Sequence, residues 1–150
     1  MSQVMETADV DVPVTTAYNQ WTQFESFPHF MGGVKSVTQI GATRNHWVTS
    51  VGGVPREFDT EITEQRPNER IAWRSVGGDV EQAGVVTFHR LAEGKTRVTI
   101  QIDWQPDGLV ERAGVAAQAD DLQVKADARR FKEYIEGRGQ ETGAWRGTVS

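Results

Sequence analysis

Between residues 17 and 37 the chain reads AYNQWTQFESFPHFMGGVKSV, and this stretch limits the available folds more than any other. It packs Tyr18, Trp21, Phe24, Phe27, Phe30 and Met31 into one short span. Pro28 disfavours the α region at Phe27 and removes a backbone donor, and Gly32-Gly33 free the backbone before a new strand begins. A single helix is therefore excluded. So heavy an aromatic load also needs a surface to pack against. Two short helices laid over the mouth of a curved sheet supply that surface and leave a cavity beneath.

The rest of the chain provides such a sheet. Val4 to Val12 reads as a first strand, with Val4, Ala8, Val10 and Val12 in rough alternation. Pro13 suits a first helical position, and Val14, Ala17, Tyr18 and Trp21 recur at helical spacing, which predicts a helix over 13–22. Glu25 to Phe30 forms a second helical turn. Strands follow at 34–40, 46–51, 56–65, 69–76, 81–91 and 95–105, separated by turn signals that include Gly52-Gly53, Pro67-Asn68 and Gly77-Gly78. The last alternates most cleanly, with Val98, Ile100, Ile102 and Trp104 opposite Arg97, Thr99, Gln101 and Asp103. Six strands with short links form an antiparallel meander. After Pro106-Asp107-Gly108 a helix runs for about 28 residues. Its apolar stripe is Val124, Ala128, Phe131 and Ile135, broadened by Ala119 and Leu122, with Asp127, Arg130 and Lys132 on the opposite side. Gly137 and Gly139 end it. A long helix beside a strongly twisted sheet buries its stripe in the curl of that sheet.

Composition narrows the function. A net charge of −5 argues against a nucleic-acid or anionic-membrane partner. No apolar run approaches the ~20 residues that span a bilayer. The first residues lack the basic and apolar regions of a secretory signal, so the expectation is a cytoplasmic protein without stable membrane association. Zero cysteines exclude disulfides and thiolate chemistry. The chain reads as a single domain over 1–150, with an ordered core over about 2–137 and a mobile Gly-rich tail over 138–150.

In this order of elements, the strings VPVTTAYNQWTQFESFPHFMGGVKSV (12–37), HWVTSVGG (46–53), EFDTEITEQRPNERIAWRS (57–75), TRVTIQIDWQPDG (96–108) and DLQVKADARRFKEYIEGRGQETGAWRG (121–147) carry a resemblance. The chain resembles the polyketide cyclase/dehydrase branch of the START/Bet v 1-like (SRPBCC) superfamily. The resemblance implies an α+β helix-grip fold, a curved antiparallel sheet of about seven strands holding a long C-terminal helix. It also implies an internal cavity for a small hydrophobic molecule, such as an aromatic polyketide, a lipid or a quinone. Because this superfamily includes aromatase/cyclases, lipid and sterol carriers, quinone-binding proteins and hydrolases, the resemblance specifies the scaffold rather than the reaction.

The expected lining or entrance of that cavity is Trp21, Phe24, Phe27, Phe30 and Met31 from the aromatic block. Trp47, Phe58, Trp73, Phe88 and Trp104 from the strands and Phe131 from the long helix complete the set. Related aromatase/cyclases place a buried arginine and small hydroxyls in the pocket to polarise a carbonyl, which draws attention to Arg74 and Ser75. Strand parity, however, puts Arg74 opposite Trp73 and so in solvent; Arg56 and Arg90 stay open. His29 lies at the expected entrance, but His29, His46 and His89 have no metal-ligand spacing, and no metal or other cofactor is expected. Glu57, Asp59 and Glu61 read as a solvated outer face opposite Phe58, Thr60 and Ile62. Hydrophobic ligand binding by a monomer or homodimer is the first expectation, with no catalytic residue assigned. The alternative is an aromatase/cyclase or dehydratase using general acid–base groups, for which the diagnostic feature is an inward polar cluster. A filled, inert cavity in a partner-binding protein is the third.

Overall fold

The computed structural model describes residues 2–51, 54–78, 80–106, 115–145 and 149. The turn glycines Gly52 and Gly53, the chain from Asp107 to Gly114, and the side chains of Trp104, Ala119 and Leu122 lie outside the described set, so the expectations placed on them stand outside it too.

Seven strands form one antiparallel sheet: β1 (Ser2–Val10), β2 (Val34–Gln39), β3 (Arg44–Val51), β4 (Val54–Arg66), β5 (Arg70–Gly78), β6 (Val80–Ala92) and β7 (Lys95–Pro106). Their spatial order is β1-β7-β6-β5-β4-β3-β2, a meander from β2 to β7 with β1 added at the far edge. Between β1 and β2 lie α1 (Val14–Trp21) and a 3-10 helix (Phe24–His29). The long helix α2 (Val115–Arg138) packs along β1 and reaches β3. This is the helix-grip arrangement expected from the sequence.

Pro13 caps α1 rather than entering it, with extended backbone (φ −61°, ψ 154°), and its carbonyl accepts the first helical bond from the Ala17 N–H at 3.1 Å. Thr22 stops the helix by turning its hydroxyl back onto the Asn19 carbonyl at 2.6 Å. The next turn is 3-10 rather than α, with Pro28 inside it. The tighter winding suits a stretch in which proline cannot donate and Phe24 and Phe27, three residues apart, both turn inward.

Burial follows the sheet's parity. Val98 and Ile100 are fully buried on β7, and Ile71 and Trp73 on β5. The twist is accommodated by register shifts in β4 at Asp59/Thr60 and Ile62/Glu64, and in β6 at Arg90/Ala92. From α2, Ala128, Phe131 and Ile135 insert into the concave face. Polar clamps fix the helix against the end of β1: the Lys132 ammonium donates to the Asp9 carbonyl at 2.7 Å, and the Asp11 N–H donates to Glu136 Oε2 at 2.8 Å.

The described residues near the end of the chain are hydrogen-bonded to the body of the protein. The Gln20 carboxamide, with no exposed surface, donates to Thr142 Oγ1 at 3.1 Å and accepts the Thr142 N–H at 3.0 Å. The Asn19 amide donates to Glu141 at 2.7 Å, and Val149 forms a two-bond antiparallel bridge with Gln65. These residues form a strap across α1 and β4.

Candidate functional site

Three neighbouring strands build one wall of a cavity. Because Trp47 on β3 is directly opposite Phe58 on β4, their rings stack at 5.7 Å with planes 14° apart. Trp73 on β5 continues the row at 5.9 Å from Trp47. Trp73 sits opposite Gly84 of β6 in the ladder, and its indole lies over that glycine so closely that a Cβ there would fall 2.3 Å from the ring. Gly84 is therefore the opening in β6 that receives the tryptophan. Indole N–H groups need partners when buried, and both find them. Trp47 Nε1 donates to Thr60 Oγ1 at 2.8 Å, and Trp73 Nε1 to Gln82 Oε1 at 3.3 Å.

Between this wall and α2 lies a cavity of about 80 Å³. Met31, Trp47, Phe58 and Trp73 line it, joined by Ile100 and Ile102 from β7 and Val124 from α2. Its polar lining was not anticipated in full. Thr49 and Arg56 come from the sheet side, Gln123 and Asp127 from the helix. Arg56 is only 6% exposed. It shares the parity of Phe58 and Thr60, so the alternation of β4 already pointed it inward. Arg74 and Arg90 are exposed, as parity predicts for Arg74.

Asp127 corrects the reading that placed it on the polar side of α2. It lies three residues after Val124 and four before Phe131, inside the apolar stripe, and it is 6% exposed. Its Oδ1 accepts the Gly32 backbone N–H at 2.9 Å and the Gln123 amide at 2.7 Å. Burial pushes its pKa up to about 6, against the downward pull of those two hydrogen bonds and of the Arg130 charge. The same carboxyl therefore ties the segment leading into β2 to the long helix. The signal that would have found it is a lone acid at an in-stripe position.

The other expected lining residues lie elsewhere. Trp21, Phe27 and Phe30 form a dry cluster with Phe131 of α2, their ring centroids 5.1–5.5 Å apart. Phe24 links this cluster to the wall, 6.1 Å from Trp47 and 5.8 Å from Trp73. Phe88 meets Tyr18 edge-on at 5.4 Å. None of these six lines the 80 Å³ cavity. These rings pack chiefly against one another and the wall, and Phe24 borders a second cavity instead. The side chain of Trp104 is outside the described set.

The histidines stand apart from the cavity. His29 is exposed and lies parallel to the Tyr134 ring at 6.0 Å, and His89 is exposed on β6. On the outer face, His46 contacts Asp59 at 2.6 Å and Glu57 at 3.2 Å, and these two hydrogen bonds raise its pKa. Among the described residues, no cluster of histidines and acids fits a metal ion. No helix among them is long and apolar enough to cross a membrane.

Residues 10–131 match the family model for polyketide cyclase/dehydrase and lipid transport proteins. The chain belongs to that family. Along its full extent it is similar to the uncharacterized 17.2 kDa protein of the melC2-rnhH intergenic region of Streptomyces lincolnensis, 58% identical over 149 residues and covering 99% of each chain. Among solved structures it is similar to the Zhui aromatase/cyclase from Streptomyces sp. R1128, with a TM-score of 0.74 at 14% identity over 96% of this chain and 99% of that one. A START superfamily protein from Mycobacterium smegmatis superposes with a TM-score of 0.72 at 17% identity, over 91% of this chain and 95% of that one. At these identities the two structures establish the helix-grip fold. Family and cavity together support the binding of a ligand inside the sheet.

Proposed function

We propose that the protein binds a small, largely apolar molecule with a carbonyl or carboxylate end, held in the cavity between β3–β5 and α2. The observation that carries this reading is Arg56, a buried guanidinium that lines the cavity together with Trp47, Phe58, Trp73, Ile100 and Ile102. A buried cation among aromatic and aliphatic side chains suits a ligand that is apolar along its length and negative or polarised at one point. Met31, Trp47, Phe58 and Trp73 form the apolar contact. With about 80 Å³ open, the site takes a compact molecule or one end of a longer one. We read the whole chain as one domain acting in the cytoplasm, as a monomer or homodimer. Its net charge of −5 disfavours a nucleic-acid partner.

A second reading is favoured by one observation, the inward polar cluster of Arg56, Thr49, Gln123 and Asp127. A carboxyl with its pKa near 6 can exchange a proton at neutral pH, and Arg56, which lines the same cavity, can stabilise an enolate, as a cyclase or dehydratase requires.

One titration addresses both. Purified protein is mixed with a panel of fatty acids, quinones and aromatic polyketone mimics, followed by calorimetry for binding and by mass spectrometry for loss of water. Binding of at least one carbonyl or carboxylate compound is expected, weakened about 10- to 100-fold in Arg56→Leu, the range for one charge-assisted hydrogen bond. Equal affinity in wild type and Arg56→Leu would refute the role of Arg56. Water loss that requires Asp127 would favour the catalytic reading.

A further inference from the structure

A second cavity, of about 390 Å³, lies on the other side of Phe24, between the 3-10 helix, the β2–β3 hairpin, β4 and the C-terminal strap. Its lining differs in kind from the first. Among the described residues, Glu25 is its one ionisable side chain, and amides and hydroxyls make up much of the rest. Two of these are almost completely buried, Asn45 at 4% and Gln65 at 2% exposure. The Gln65 amide nitrogen donates to the Trp145 carbonyl at 3.3 Å. Its side-chain oxygen, and both polar atoms of Asn45, make no hydrogen bond among the described residues. Buried amides are normally satisfied, so groups left open toward a roomy polar cavity mark a place where water or a ligand completes them.

Trp145 distinguishes a ligand from water. It is the large apolar residue of the strap and is 46% exposed at the rim of this cavity. Its backbone is held at both ends: the N–H donates to Thr22 Oγ1 at 3.1 Å, and the carbonyl receives Gln65. The strap thus places an indole beside a set of neutral donors and acceptors. An aromatic face next to uncharged amides suits a ring with one apolar face and hydroxyls at its edge. Among the described residues, an anionic ligand finds no counter-ion here and meets the Glu25 carboxylate.

We propose that this second cavity binds a neutral polyhydroxylated ring of the pyranoside class, stacked on Trp145 and hydrogen-bonded by Asn45 and Gln65. The proposal is independent of what occupies the first cavity. The test is an NMR titration of the full chain with the methyl pyranosides of glucose, galactose and mannose. It follows the side-chain amide of Asn45 and the indole N–H of Trp145. Saturable shifts at both resonances are expected with at least one sugar. Trp145→Ala, which keeps both backbone hydrogen bonds of that residue, is expected to weaken that binding about tenfold, the size of one good contact. Arg56→Leu, in the other cavity, is expected to leave it unchanged. A cavity that holds only water would show no saturable shift with any of the sugars, and that result overturns the proposal. So does binding that persists at equal affinity in Trp145→Ala.

Discussion

Asp127 shows how much one side chain can alter the pH response of a small protein. Its carboxyl has a pKa of about 6 in the fold against an ordinary 3.8, so the folded chain holds the proton more tightly than the unfolded chain does. The sign follows from linkage. Its contribution to stability is greatest below the unfolded value, declines as pH rises from 3.8 to about 6, and is lost above that, where a buried carboxylate must be carried. The span is worth roughly 3 kcal/mol at most. Asp127→Asn keeps an acceptor for the Gly32 N–H but removes the ionisation. Urea unfolding across pH is expected to show the variant as more stable than wild type at pH 7, with a flatter profile over that window. An unchanged slope would assign the pH dependence to another group. His46, held by Asp59 and Glu57, has a raised pKa, so its contribution is present below its ordinary value of 6.5 and is lost only as pH climbs through the raised one. The two groups therefore act in separate windows.

At the scale of elements, the strap and α1 depend on each other. Gln20 is fully buried, and among the described residues the hydrogen bonds of Thr142 go to Gln20 and, at 3.3 Å, to Ser26. Gln20→Ala removes both bonds to Thr142 and is expected to lower unfolding free energy by about 1–3 kcal/mol. Truncation after Gly139 uncovers the same carboxamide and is expected to cost a similar amount. Combining the two is expected to cost clearly less than their sum, because each removes the partner of the other. Urea midpoints of the two single variants and the combination measure this, and additive losses would mean that the strap is not seated on α1.

For the molecule as a whole, the aromatic block is structural before it is functional. Trp21 touches Phe27, Phe30 and Phe131, so it joins both short elements to the long helix. Trp21→Ala is expected to destabilise the protein by about 3–5 kcal/mol. Hydrogen exchange should then accelerate together in β1, β7 and α2, since one core spans them. Acceleration confined to α1 would mean that the block is a separate lid.

Periodicity and turn chemistry alone determined the order of elements, the seven strands and the faces they bury, because alternation along β7 or spacing along α1 is a local property of the chain. They also contained the inward parity of Arg56. Which aromatic rings would face open space was not local. Trp21, Phe27, Phe30 and Phe131 come from three separate elements, and only their convergence shows that they fill one another's surface while Trp47, Phe58 and Trp73 border a cavity. The burial of Asp127 and the seating of the strap are tertiary for the same reason. A carboxyl or a glutamine is buried when a partner distant in the chain, Gly32 or Thr142, arrives to satisfy it.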